Sequence, residues 1–233
     1  MTRSENIERQ VAALLRDLSL TDPSYGTRST EGVSDEGIGT LVGRALADEA
    51  LSTEAVSRAL WLLPKFPSAR GVELAMSLLK TRPDVALGTG SVLGEVGDRS
   101  IIPSMEAALL DKSLSAASRA GAARALGELG ELSSKPVLRR ALRVQEQDDV
   151  VLDNVAEALG RMHEQGADAA DDLAALLTSR SADVRFSVIC ALGNIEARQA
   201  VEKIEPLIND NELSSYGPVG AEALRVCQWL RRP

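Results

Sequence analysis

Ala191-Leu192-Gly193-Asn194-Ile195 decides the fold, because it is one of four copies. Val92-Leu93-Gly94, Ala125-Leu126-Gly127, Ala158-Leu159-Gly160 and Ala191-Leu192-Gly193 recur with a spacing of 33 residues. A fixed period in this range marks a stacked repeat architecture. With the Leu of each copy as zero, position −4 holds Thr89, Ala122, Val155 and Val188, and position +3 holds Val96, Leu129, Met162 and Ile195. Positions −4, −1, 0 and +3 share one face of a 3.6-residue helix. Each copy therefore predicts an amphipathic helix with an apolar stripe of small and medium side chains.

Position +1 is Gly in all four copies: Gly94, Gly127, Gly160 and Gly193. A glycine inside a helix costs about 1 kcal/mol relative to alanine. Repeating that cost in register predicts that a neighbouring helix approaches closely there. Gly97 and Gly130 at +4 suit a left-handed helix stop, with His163 and Glu196 in their place in the other two copies. A second apolar run follows each copy, at 101–110, 137–142, 173–177 and 201–208, and Pro103 and Pro136 stand where its helix would begin. Proline is tolerated in a first turn, where its missing N–H has no partner to lose. The unit is thus helix, tight turn, helix, short turn.

Asp183-Val184-Arg185 leading to Ala191-Leu192-Gly193-Asn194-Ile195, and Leu93-Gly94-Glu95-Val96-Gly97-Asp98 leading to Ile102-Pro103, resemble the HEAT family. Within it they resemble the short HEAT-like repeats first associated with phycobilin lyases. The likeness covers about residues 82–210. The Thr-Pro-Leu-His signature of ankyrin repeats and the spaced Trp and Tyr of tetratricopeptide repeats are absent. The resemblance implies an all-α fold, an α-solenoid: a right-handed superhelix of stacked antiparallel helix pairs, with about five to six repeats. It also implies that the second helices line the concave surface.

The rest of the chain is organised around this array as one domain over 1–233. Cap helices and a turn-rich loop at 19–33 occupy 1–50, repeats occupy 51–210, and a terminal capping helix occupies 211–233. The first cap helix spans 5–18 and the next 35–49. The loop reads either as a plain connection or as a binding loop carrying Tyr25 and Arg28. Leu60 lies 33 residues before Leu93 and marks a degenerate fifth copy, with Trp61 in the glycine column. Trp61 and Phe66 are expected to pack at its junction. Gly88 and Gly90 lie in the helix before Gly94 and are read as close packing in preference to a joint. Leu224 is taken as the zero position of the terminal copy.

Aromatic residues make up 3% of the chain against 44% hydrophobic residues, so the core must be built from Ala, Leu and Val. A net charge of −8 argues against general affinity for nucleic acid or anionic membrane. The start lacks a basic segment followed by an apolar one, and no apolar run approaches the ~20 residues that span a bilayer. A cytoplasmic location is expected.

Chemistry is sparse. His163 falls in a turn column, and no Cys/His spacing suits a metal. The glycines lie within helices and make no phosphate loop. No catalytic residue, metal or cofactor is expected. Cys227 falls in a core column, while Cys190 falls in the polar −2 column with Ser91, Arg124 and Glu157 and should be partly accessible and unreactive.

The candidate partner-binding residues lie on the second helices. Lys135, Arg139, Arg140 and Arg143 make one of them basic, and Arg139 and Arg143, one turn apart, should point the same way. The next second helix carries Asp168, Asp171 and Asp172. The function these features suggest is a non-catalytic protein–protein interaction scaffold or adaptor, whose partner has a basic surface. The resemblance implies two alternatives: an enzyme-associated role like that of the phycobilin lyases, and nucleic-acid binding as in HEAT-like alkylpurine glycosylases, which the acidic chain disfavours.

Overall fold

The computed structural model describes residues 35–48, 51–144, 148–162 and 167–232. The expected first cap helix at 5–18, the loop at 19–33 and His163 lie outside these residues. Among the described residues the chain is an all-α solenoid. Helices α1 (Asp35–Leu46), α2 (Thr53–Leu62) and α3 (Ala69–Thr81) lead into four repeats. Their first helices are α4 (Ala86–Val96), α6 (Ala116–Leu129), α8 (Asp149–Arg161) and α10 (Ala182–Asn194). Their second helices are α5 (Ile102–Leu110), α7 (Lys135–Leu142), α9 (Ala167–Ala174) and α11 (Val201–Ile204). Helix α12 (Val219–Leu230) closes the described chain.

The helix ends follow the sequence. Ser52, Ser68, Ser115 and Ser181 each accept a backbone N–H with their hydroxyl at a helix start, satisfying donors that have no partner inside the helix. Gly97 and Gly130 stop α4 and α6 with φ of 76° and 62°. Glu196 occupies the equivalent place after α10 with φ 53°, left-handed without being glycine. Pro103 and Pro136 sit in the first turns of α5 and α7.

The apolar stripes build one continuous core. Leu93, Leu126, Leu159 and Leu192 are all fully buried, with the small residues of columns −4 and −1 around them. The glycine column works as a spine. A Cβ on Gly127 would lie 2.7 Å from Ala158 Cα, and one on Gly160 would lie 2.8 Å from Ala191 Cα. Gly127 and Gly160 thus receive the −1 alanine of the next copy, while Gly94 faces Glu128 and Gly193 faces Val226. Gly90 and Gly121 make the same kind of contact backbone to backbone, 2.0 Å from a virtual Cβ to the Gly121 oxygen, which supports close packing at Gly90. At Gly88 nothing lies within 4 Å of the virtual Cβ, and the close-packing expectation is corrected there.

This spine sets the curvature. First helices lie against first helices along their length, whereas second helices meet one another sparsely. A stack curves toward its more tightly spaced layer. The first helices, not the second, therefore form the inner layer, which corrects the expectation drawn from the resemblance.

Two further expectations are corrected. Trp61 does not pack at the junction: it is 58% exposed, while Phe66 does pack against the core. An indole in the glycine column cannot admit a neighbouring helix, so it turns to solvent. Leu224 is not the zero position of the last copy and stands exposed. Val226 packs on Gly193 as Ala191 packs on Gly160, so Cys227 takes the zero position. The reason is a hairpin the repeat pattern did not predict, pairing Leu213 with Pro218 and Ser214 with Gly217, which lengthens the last connection. Cys227 is buried in either register and Cys190 is half-buried, as their columns required.

Candidate functional site

The second-helix charges come together, but chiefly with each other. Arg139 Nε donates to Asp172 Oδ2 at 2.7 Å, and Arg143 donates to both Asp172 oxygens at 2.7 and 2.8 Å. Burial alone would raise the Asp172 pKa, but the hydrogen bonds from Arg143 and Arg139 hold it below the ordinary carboxylate value. Arg139 and Arg143 do point the same way, and their target is the next repeat. Lys203 Nζ stands 3.5 Å from Asp171. Arg140 is exposed and Lys135 half-buried. The alternation in sign along the second helices thus fastens repeat to repeat.

A different cluster forms on the inner, first-helix layer. Asp153, in α8, is 6% exposed. It accepts from the Ser187 hydroxyl of α10 and from the Tyr216 hydroxyl at 2.7 Å. Tyr216 comes from the hairpin, 63 residues away in the chain. Burial pushes the Asp153 carboxyl above its ordinary value; the two hydroxyls oppose that shift, and Glu157 and Asp183 add to it. Burial and Asp153 in turn push the Tyr216 phenol up.

The hairpin is anchored firmly enough to place that phenol. Ser214 caps its own turn by accepting from the backbone N–H of Tyr216 and Gly217. Asp183 accepts from the Ser215 backbone at 2.6 Å and its hydroxyl at 3.0 Å. Arg185, buried at the base of α10, donates to Asp210 and Glu212 and to the carbonyls of Ser179 and Arg180. The Phe186 and Tyr216 rings meet with centroids 5.7 Å apart and tilted by 32°.

Beside this cluster opens a cavity of about 320 Å³, lined by Glu157, Arg161, Phe186, Ser187, Cys190, Asn194 and Tyr216. Arg161 bridges Glu157 at 2.8 Å and Glu128 of the preceding repeat at 2.6 Å. Arg124 donates to Asn154 and lies 3.6 Å from Glu157. At the far side Cys190 donates to Glu222 at 3.0 Å. Burial and the Glu222 carboxylate push that thiol up, so it stays protonated and a poor nucleophile near neutral pH. Glu222 itself is held low by Arg225.

The sequence carried one sign of this site. Asp153 stands at position −6, a column that otherwise reads Leu87, Ala120 and Phe186. An acid in an apolar column is a buried charge waiting for a partner. Tyr216 had no such sign, since the hairpin lies outside the period. Among the described residues no group of His, Cys, Asp and Glu could hold a metal ion, and no helix is long and apolar enough to cross a membrane.

The repeats are HEAT-like. The family described as PBS lyase HEAT-like repeat matches residues 118–143. Comparison with curated proteins finds no match. Among solved structures, the complex of CpcE and CpcF of phycocyanin lyase from Nostoc sp. is similar at TM-score 0.56 and 18% identity, over 81% of this chain and 74% of that one. Human deoxyhypusine hydroxylase in complex with glycerol is similar at TM-score 0.42 and 19% identity, over 97% and 96%. The karyopherin Kap121p bound to the SUMO protease Ulp1p is similar at TM-score 0.46 and 17% identity, over 96% of this chain and 29% of that one.

Proposed function

We propose that the protein is a non-catalytic interaction scaffold that receives a protein partner along its first-helix layer. The observation that carries this reading is the contrast between the two layers. On the second helices, Arg139 and Arg143 both engage Asp172 of the next repeat. On the first helices, aromatic rings, carboxylates and amide groups converge on an open cavity between α8 and α10. Concave faces with a few converging polar groups and perturbed ionisable residues are where ligands bind, and solenoids use their inner curve for this purpose.

The test is affinity capture from native lysate with mass spectrometry, repeated with one variant of each layer. Glu157→Lys with Asn194→Lys alters the inner layer at exposed and half-buried positions. Lys135→Glu with Arg140→Glu alters the second-helix layer without touching the Asp172 cluster. A partner lost with the first pair and kept with the second supports the reading. The reverse pattern returns the site to Lys135, Arg139, Arg140, Arg143, Asp171 and Asp172.

A second reading is an enzyme-associated role, favoured by the description of the family matching residues 118–143 and by the likeness to the phycocyanin lyase complex. Co-expression with bilins tests it: visible absorbance co-purifying with the protein supports it, and a colourless protein ends it.

A further inference from the structure

We infer that the cavity between α8 and α10 is a socket for one arginine or lysine side chain of the partner, held by the Glu157 carboxylate against the Phe186 and Tyr216 rings. This inference rests on the scaffold reading and gives its partner a chemistry. A cavity of about 320 Å³ lies at the small end of the range for ligand sites and has room for one long side chain.

The charges around it favour a cation. Asp153, Glu157, Asp183, Glu222 and Glu128 outnumber Arg124, Arg161 and Arg225. Each of those arginines already faces a carboxylate: Arg124 faces Glu157, Arg161 faces Glu128 and Glu157, and Arg225 faces Glu222. An incoming anion would have to take an arginine from its acid. An incoming cation shares Glu157 with Arg161 and Arg124, which keep Glu128 and the Asn154 side-chain oxygen as their other partners. Asp153 lies one layer behind the cavity wall, and the groups that donate to it there are the hydroxyls of Ser187 and Tyr216. Its negative charge therefore acts through those hydroxyls on whatever sits in front of them, in surroundings drier than bulk water, where charges interact more strongly. The Phe186 and Tyr216 rings complete the selection, since an aromatic face attracts a cation and repels an anion. Tyr216 is half exposed and forms the rim, so the socket is reached from solvent.

The test uses a pentapeptide with one central arginine flanked by glycine and serine, capped at both ends, and its counterpart with citrulline in place of arginine. Citrulline keeps the shape and removes the charge. Each is titrated into the full isotope-labelled chain and followed by amide NMR. The expected result is saturable shifts confined to residues 153–161, 186–194 and the hairpin, with the arginine peptide alone. Asp153→Asn and Glu157→Gln should each weaken that binding by about fivefold, the loss expected when one charge partner of a shielded cation is neutralised. Asp171→Asn, the removal of an exposed acid elsewhere, should leave it unchanged.

Shifts spread over the acidic surface, equal binding of the citrulline peptide, or equal weakening by Asp171→Asn would overturn the socket. If Asp153→Asn does not fold, Glu157→Gln carries the test alone. The two readings fail separately. A captured partner that depends on the inner layer but binds Asp153→Asn and Glu157→Gln as tightly as the parent retires the socket and leaves the scaffold. Capture that no inner-layer variant affects retires the first-helix docking face, whatever the peptide does.

Discussion

Gly88 and Gly90 lie two residues apart in α4, and replacing each by alanine should move stability in opposite directions. Both changes gain about 1 kcal/mol of helix propensity. At Gly88 nothing lies within 4 Å of the added Cβ, so Gly88→Ala keeps that gain. At Gly90 the added Cβ would lie 2.0 Å from the Gly121 oxygen and 2.7 Å from its carbonyl carbon. Both are backbone atoms of α6, so no side chain can swing away. The helices must separate by roughly 1 Å, and overpacking of this kind costs about 1–3 kcal/mol, at the upper end where the obstacle is rigid. Gly90→Ala should therefore lose about 2 kcal/mol net.

For a chain of this size 1 kcal/mol corresponds to about 2–4 °C in Tm. Gly88→Ala should melt about 3 °C higher than the parent and Gly90→Ala about 6 °C lower. Thermal and urea unfolding should be followed together, because repeat arrays can lose cooperativity between neighbours. Hydrogen exchange along α4 and α6 would show whether the loss is local. If both variants melt higher by similar amounts, the first helices do not touch at their glycines, and the assignment of the inner layer falls with them.

Glu196→Gly should raise stability by about 1 kcal/mol, because Glu196 holds a left-handed φ of 53° that glycine adopts without strain; a lower urea midpoint would refute this. Asp153 has a folded pKa above its unfolded value. Its ionisation therefore destabilises the fold as pH rises through the window between the two values, the folded state being the one that holds the proton there. Asp153→Asn should accordingly melt higher than the parent at pH 7, with the difference vanishing below about pH 4, near the unfolded aspartate value; a difference independent of pH would show that the charge is not the cause. Cys190 should react with a disulfide reagent at pH 8 far more slowly in the folded chain than in urea, and Glu222→Gln should speed it by removing the acceptor and negative charge that hold the proton on sulfur; parent and variant reacting alike would contradict the Cys190–Glu222 contact.

What could be read in advance was whatever recurs every 33 residues. The buried leucines, the −1 alanines and the spine glycines are set by contacts between identical neighbours, so one copy predicts the next. The pairing of Arg139 with Arg143 was legible for the same reason, because one helical turn separates them. Their engagement of Asp172 was not, because a sequence column does not say which residues face one another across the gap between second helices. The inner layer was misassigned because the period identifies helices without saying which row is spaced more tightly. That depends on the approach distance at Gly127 and Gly160, which only the packed structure shows. Asp153 broke its column visibly. Tyr216, Phe186 and Cys190 became a site only through the hairpin at 213–218, an insertion with no counterpart among the described residues, which reaches back over a whole repeat.

The unequal spacing of the two layers has a mechanical consequence. One edge of the stack is fixed by backbone contact at the glycines and cannot stretch without losing van der Waals packing. The other is fastened by Arg139–Asp172 and Arg143–Asp172, partly solvent-exposed ion pairs that weaken as salt rises. Such a body behaves as a leaf spring with one inextensible leaf. Its contour length along the first helices stays constant, while ionic strength sets how far the second helices splay and so how tightly the inner curve closes.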